Sequence, residues 1–253
     1  MRATLAVAAN TFRETVRERV LYNLVFFAVV MTLSGLMLQD LSIRQDDKIV
    51  KDIGLASMEV FGSVIAIFIG VGLVSKEIER RSLYPLLAKP VRREQILLGK
   101  FLGLSFTLLV NVVVMTIGLY ATLAMTSGHV DPRLLKAIYP IYLSLVLIVA
   151  MALLFSSVTS AALASVCTFA LVMAGRYSDV VLNMQQVTDK TPSWLLTTLY
   201  YTIPNFRNFD LKDHVVYGDP VAWTTLGWIS LYAATYIGLA LAVALAFFRR
   251  REL

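Results

Sequence analysis

Glu59 is the one ionisable side chain set in the middle of a long apolar stretch of this chain. A carboxyl at that depth can bind or relay a coupling ion, or it can pair with a cation near the membrane surface. It sits about two helical turns in from the outer end of the second apolar run, which leaves open both roles and that of an interfacial glutamate. Arg176 and Asp179 bracket the outer end of the fifth run and can pair there. His129 and His214 lie far apart on polar connections and read as solvated rather than metal-binding. Cys167 is the single cysteine, so neither a disulfide framework nor a cysteine metal cluster can be built on it. The patterns G-x-x-x-x-G-K-[ST], H-E-x-x-H, C-x-x-C and G-x-S-x-G are all absent. The apolar runs hold no paired histidines for haem. The expectation is a chain with no catalytic residue, no metal site and no cofactor of its own. If it moves anything, the energy comes from a partner.

A place for that partner is the segment KEIERRSLYPLLAKPVRREQILLGK, Lys76–Lys100. It is long for a connection between two helices, and loops of that length are functional or disordered. Ile78, Leu83, Tyr84, Leu86 and Leu87 supply apolar anchors, which argues against disorder. Leu83, Leu86 and Leu87 share one helical face, and Pro90 stops that short helix. Lys76, Glu77, Glu79, Arg80 and Arg81 precede it, and Arg93 and Lys100 share a face of the helix that follows. Gly99-x-x-x-Gly103 lets that helix approach a neighbour closely. An apolar face between charge clusters reads as a docking helix for a protein. The alternative is a solvated basic loop touching anionic lipid.

The elements that carry these residues are spanning helices. Of 253 residues, 58% are hydrophobic and 16% charged, against roughly a quarter charged in soluble domains. Six apolar runs are expected to span: Tyr22–Leu38, Ile53–Val74, Gln95–Met125, Ala137–Phe155, Ala161–Gly175 and Ala222–Phe248. Ser156, Ser157, Val158, Thr159 and Ser160 make the fourth and fifth a hairpin, joined by a tight turn or a bend. Met1–Leu21 repeats apolar residues every three or four positions, with Arg13, Glu14, Arg17 and Glu18 off that stripe. It reads as a helix lying in the membrane interface, or else as a cytoplasmic extension of the first span.

Lys and Arg set the orientation. Fourteen of them crowd the amino end, the 76–100 segment and the tail, while nine are spread over the longer connections of the other face. All ten aspartates fall on that second face. The basic face is therefore expected to be cytoplasmic, with both termini on it. The net charge of +6 reports membrane orientation rather than a nucleic-acid surface. The largest outer segment, Arg176–Pro220, carries Trp194, Tyr200 and Tyr201 behind Pro192, and Pro204, Asn205 and Phe206 end that stretch. Ser193 or Thr191 can cap a short helix there that lies on the outer leaflet or re-enters it.

Taken in order, Glu77, Arg80, Leu86, Leu87, Pro90, Arg93, Gly99 and Lys100 resemble the acid–arginine, short helix, Pro, basic residue, Gly-Lys pattern of ABC-2-type transporter permeases. The family's pattern often has Ser before the basic residue that follows the Pro, where this chain has Arg92. Thr11–Phe27 and Ile203–Phe206 are similar to the permeases for multicopper-enzyme maturation, which include the nitrous-oxide-reductase maturation permease. The resemblance implies an all-α integral membrane fold in one domain, residues 1–253. Residues 1–21 would be an elbow helix, 76–94 a cytoplasmic coupling loop, and 176–221 an interfacial or re-entrant outer segment. It implies a bacterial or archaeal cytoplasmic membrane and a homodimer or a pair with a similar permease. Two copies of a separate ATPase would hold the ATP and magnesium. Lys76, Glu77, Glu79, Arg80, Arg81, Leu83, Leu86, Leu87, Pro90 and Arg93 would couple to that ATPase, with Ser156, Ser157, Thr159 and Ser160 as a second, smaller contact. Two functions fit: an exporter passing substrate along the dimer seam, or a relay driving an extracytoplasmic partner through Trp194, Tyr200, Tyr201, Pro204 and Asn205.

Overall fold

The structure is a computed structural model and describes residues 2–15, 26–27, 29–30, 46–80, 93–126, 131–178 and 203–250. Seven α-helices are complete enough to name: α1 (Arg2–Thr15), α2 (Asp46–Arg80), α3 (Arg93–Thr126), α4 (Leu135–Val158), α5 (Ala161–Arg176), α6 (Lys212–Tyr217) and α7 (Trp223–Arg250). Short 3-10 turns lie at Pro132–Leu134 and Phe206–Phe209. No strand occurs among the described residues.

The apolar pattern of α4 runs all the way round the helix, and such a helix belongs at the centre of a bundle. It packs against α2, α3, α5 and α7, and Leu145, Leu147, Ile148, Val149, Ala150 and Leu153 are all fully buried. By contrast α7 is peripheral: 22% of its apolar window is buried, against 72% for α4. Lys48–Gly72, Glu94–Met125, Pro132–Val158 and Trp223–Phe247 are long and apolar enough to cross a membrane. The fifth expected span, α5, has 16 residues. That is about 24 Å of helix, short of a hydrocarbon core of roughly 30 Å. The first expected span, Tyr22–Leu38, falls mostly outside the described residues. Within it Phe26 packs edge-on against Phe61 of α2, at 5.0 Å between ring centres, and Phe27 is buried.

Three boundaries differ from the sequence reading, the first being the start of α2 at Asp46, seven residues ahead of Ile53. Expected to stop near Val74, α2 continues through Lys76, Glu77, Glu79 and Arg80 to end at Arg80. Lys, Glu and Arg are strong helix formers, and neither Gly nor Pro interrupts them before Pro85, so the helix outlasts its apolar stretch. Ser156, Ser157 and Val158 belong to α4 rather than to a turn, leaving only Thr159 and Ser160 between α4 and α5. Ser156 Oγ donates to the Leu153 carbonyl at 3.0 Å and Ser157 Oγ to that of Leu154 at 2.6 Å. Hydroxyls satisfied by their own helix are tolerated in an apolar setting.

At the end of the bundle expected to face outward, called the outer end below, Asp131 caps the Pro132–Leu134 turn by accepting from Arg133 N–H at 3.0 Å. Its backbone carbonyl accepts from the Tyr120 hydroxyl at 3.2 Å, and its carboxylate lies 3.7 Å from Lys51. These contacts tie the α3–α4 connection to the start of α2.

Candidate functional site

The first turns of α2 bring Glu59 to a point eight residues below Lys51, roughly 12 Å along the helix. The residue is 6% exposed. Both carboxylate oxygens are taken by cations from other elements. Arg176, the last residue of α5, places Nη1 2.6 Å from Glu59 Oε1. Lys212, the first residue of α6, places Nζ 2.5 Å from Oε2. Ser63, one turn further along α2, donates to the Glu59 carbonyl at 2.6 Å and accepts from Arg176 Nη2 at 3.0 Å. Asp210 stands 3.7 Å from Lys212 Nζ and balances the second cation. The cluster is close to neutral and joins three elements.

Burial penalises the Lys212 charge, but the neighbouring Glu59 and Asp210 carboxylates outweigh that penalty and hold its pKa above the ordinary lysine value. Both Glu59 oxygens face a cation in this conformation. Pairing, one of the roles open from sequence, is the one observed. Arg176, expected to pair with Asp179, pairs here with Glu59; Asp179 lies outside the described residues. Lys212 was not foreseen. The signal for it was the carboxyl itself, because a lone acid in an apolar run calls for cations from the nearest end of the bundle.

The rest of the outer segment docks by apolar contact. Phe206, Phe209, Leu211, Val215 and Val216 are buried against the outer ends of α2, α4 and α5. Pro204 is buried as well. Asn205 caps the Phe206–Phe209 turn with its side chain, and its N–H donates to the Tyr232 hydroxyl of α7 at 2.7 Å. Pro204 and Asn205 thus anchor the segment to the bundle. Trp194, Tyr200 and Tyr201 lie outside the described residues.

The opposite end is built differently. Thr4 and Val7 of α1 meet Gly99 of α3, Ala8 and Thr11 meet Gly103, and Phe12 stacks edge-on against Phe106 at 4.9 Å. A Cβ on Gly99 would fall 2.8 Å from the Thr4 carbonyl oxygen, and one on Gly103 would fall 2.6 Å from that of Ala8. The neighbour that Gly99-x-x-x-Gly103 admits is therefore α1. Contact held in register over about two turns makes the two helices run alongside one another; a perpendicular helix would touch α3 at one crossing only. Lys100, one residue beyond Gly99, is 5% exposed.

Of the expected coupling residues, Lys76, Glu77, Glu79 and Arg80 form the last turns of α2, and Arg93 opens α3. Arg81, Leu83, Leu86, Leu87 and Pro90 lie outside the described residues. At the α4–α5 turn Ser156 and Ser157 are buried, which leaves Val158 and Ser160 exposed there and Thr159 between the two conditions. Asn111, midway along α3, is fully buried, and neither its amide nitrogen nor its oxygen has a hydrogen-bond partner. Among the described residues no group of three or more His, Cys, Asp or Glu is placed to hold a metal ion.

A family model described as "ABC-2 family transporter protein" matches residues 5–253. No curated protein matches the chain.

Proposed function

Because the chain belongs to the ABC-2 transporter family over nearly its whole length, we propose that this membrane permease component works with a separate ATPase, which presses on the end of α2 and drives export. Membership of the family makes the chain the permease part of an ABC transporter. The finer reading adds two ATPase copies holding ATP and magnesium, and a permease dimer in a cytoplasmic membrane. It adds six spans with both termini inside, an amino-terminal elbow helix and a coupling segment at 76–94. The likeness to maturation permeases belongs to this reading too.

One observation carries it. The apolar window of α2 ends at Gly72, yet the helix runs on to Arg80, about 12 Å further. Its last turns carry Lys76, Glu77, Glu79 and Arg80, and α3 starts at Arg93. A force applied at Lys76–Arg81 acts on a rigid rod reaching the Glu59 cluster roughly 30 Å away. Substituting Arg80→Glu and Arg81→Glu together should abolish co-purification of the ATPase while the permease stays folded in detergent. Undiminished co-purification would remove the docking role.

A second reading rests on the same rod. The outer segment is bolted to α2 through Lys212 and Glu59, so tilting α2 carries that segment with it. In a mechanical relay the moving segment itself would work on an extracytoplasmic protein. Trp194→Ala should then impair activity with ATPase binding retained, and unchanged activity would count against the relay.

A further inference from the structure

The outer ends of α4 and α7 part to leave a cleft of about 630 Å³. Its mouth holds Arg133 and Lys136, and its walls are Leu135, Tyr139, Trp223 and Leu226. Both flanking spans begin here, at Pro132 and Trp223, so the cleft opens at the level where chain passes from water into hydrocarbon. Lysine and tryptophan favour that boundary. Lys136 donates to the Val221 carbonyl at 2.8 Å and stands 4.9 Å above the Trp223 ring, which fixes the rim. An ammonium has three donors, so capacity is left over. The Arg133 side chain is exposed beside it. About two turns deeper, the Tyr139 hydroxyl and Ser230 Oγ satisfy each other at 2.8 Å, so the wall offers no unmet polar group there.

A cationic mouth over an apolar shaft matches an anionic head on an acyl chain. We propose that this cleft holds one anionic phospholipid, its phosphate on Arg133 and Lys136 and an acyl chain between Tyr139, Trp223 and Leu226. The guanidinium fork suits a phosphate, and the exposed flank of α7 opens the cleft sideways to the bilayer. A second cleft of about 580 Å³ lies on α7 between Trp228, Tyr232 and Tyr236 and has no Lys or Arg in its lining. It is a control of similar size without the charge. The site does not depend on whether the permease exports or relays.

Gly227 makes the cleft testable. It lines the cleft, and a Cβ built on it meets nothing within 4 Å. Gly227→Leu therefore fills the space without a clash and replaces a poor helix former with a good one. The full chain is placed in phosphatidylcholine nanodiscs containing a minority of phosphatidylglycerol, then released and weighed by native mass spectrometry. The expected result is one retained phosphatidylglycerol per chain. Arg133→Ala and Gly227→Leu should each reduce its occupancy about tenfold, the size expected for loss of one charge-assisted contact. Thr235→Leu, in the uncharged cleft, should leave occupancy unchanged. Equal retention of phosphatidylcholine would overturn the proposal, as would undiminished retention in both cleft variants. So would a change of oligomeric state in Gly227→Leu, which would mark the cleft as a contact between copies of the chain.

Discussion

The two ends of this bundle are held by opposite means. At the outer end, elements distant in sequence are joined through charge: Glu59 of α2 takes Arg176 from α5 and Lys212 from α6. At the other end, α1 lies on α3 with only glycine between the backbones, at Gly99 and Gly103. A charged cluster depends on every member and on solvent exclusion. A glycine seam depends on shape and is indifferent to pH and salt. A permease that must tilt its helices has reason to hold one end by contacts that break in discrete steps and the other by contacts that slide.

The largest effect should come from breaking the cluster. Glu59→Gln leaves two partly buried cations facing one another, with Asp210 the one carboxylate beside them among the described residues, a defect worth up to about 3–5 kcal/mol. The measurement is unfolding of the detergent-solubilised protein. Replacing Glu59, Arg176 and Lys212 together by Leu, Leu and Met should recover most of that loss, because a well-packed apolar trio needs no compensation. If the single variant is as stable as the parent, the outer end is held by Phe206, Phe209 and Val215 alone. Lys212 sharpens the test through pH. A raised folded-state pKa means its stabilisation is complete below the ordinary value of 10.5 and fades as pH climbs from there through the folded value. The stability gap between the parent and Lys212→Met should stay constant from neutral pH to about 10.5 and narrow above it.

Next in size is the glycine seam. Gly103→Leu drives a side chain into the Ala8 carbonyl and Thr11, and overpacking of this kind costs about 1–3 kcal/mol. Because the strain is local, α1 should peel away before the bundle opens. Limited proteolysis should therefore cut within residues 2–15 of the variant while α3, α4 and α7 stay protected. Resistance equal to the parent's would mean that α1 is held by something other than this seam.

Spans were legible because a bilayer leaves a signal in each run of residues. The limits of α3 and α7 lie within two residues of those read from sequence, Gln95–Met125 and Ala222–Phe248. Where the apolar stretch and the helix part company, sequence reading failed, as at α2, whose last turns are held by propensity rather than hydropathy. The Gly99–Gly103 spacing announced a close neighbour but not which one, since a spacing carries no address. Glu59 announced a need for cations but not which ones: Arg176 and Lys212 come from α5 and α6. Lys212 lies 153 residues from Glu59, and only the folded outer segment brings them together. Asn111 gave no signal at all, because a single amide in an apolar run resembles the hydroxyls beside it until its partners are sought.

Asn111 also supplies the smallest effect and the one of opposite sign. A buried amide with neither donor nor acceptor satisfied carries the full cost of desolvation. Leu has the same branched shape, slightly larger, and no polar atoms, so Asn111→Leu removes that cost without opening a cavity. The neighbouring hydroxyls do not gain a vacancy, since Thr107 and Thr116 donate to the carbonyls of Gly103 and Val112 in their own helix. The variant should be more stable than the parent by about 1 kcal/mol, read as a higher unfolding midpoint. A polar group kept at such cost has a use elsewhere in the working cycle, so transport should fall even as stability rises. A variant both stabler and fully active would show that α3 carries the amide to no purpose. A variant less stable than the parent would show that Asn111 finds a partner when the protein sits in its membrane.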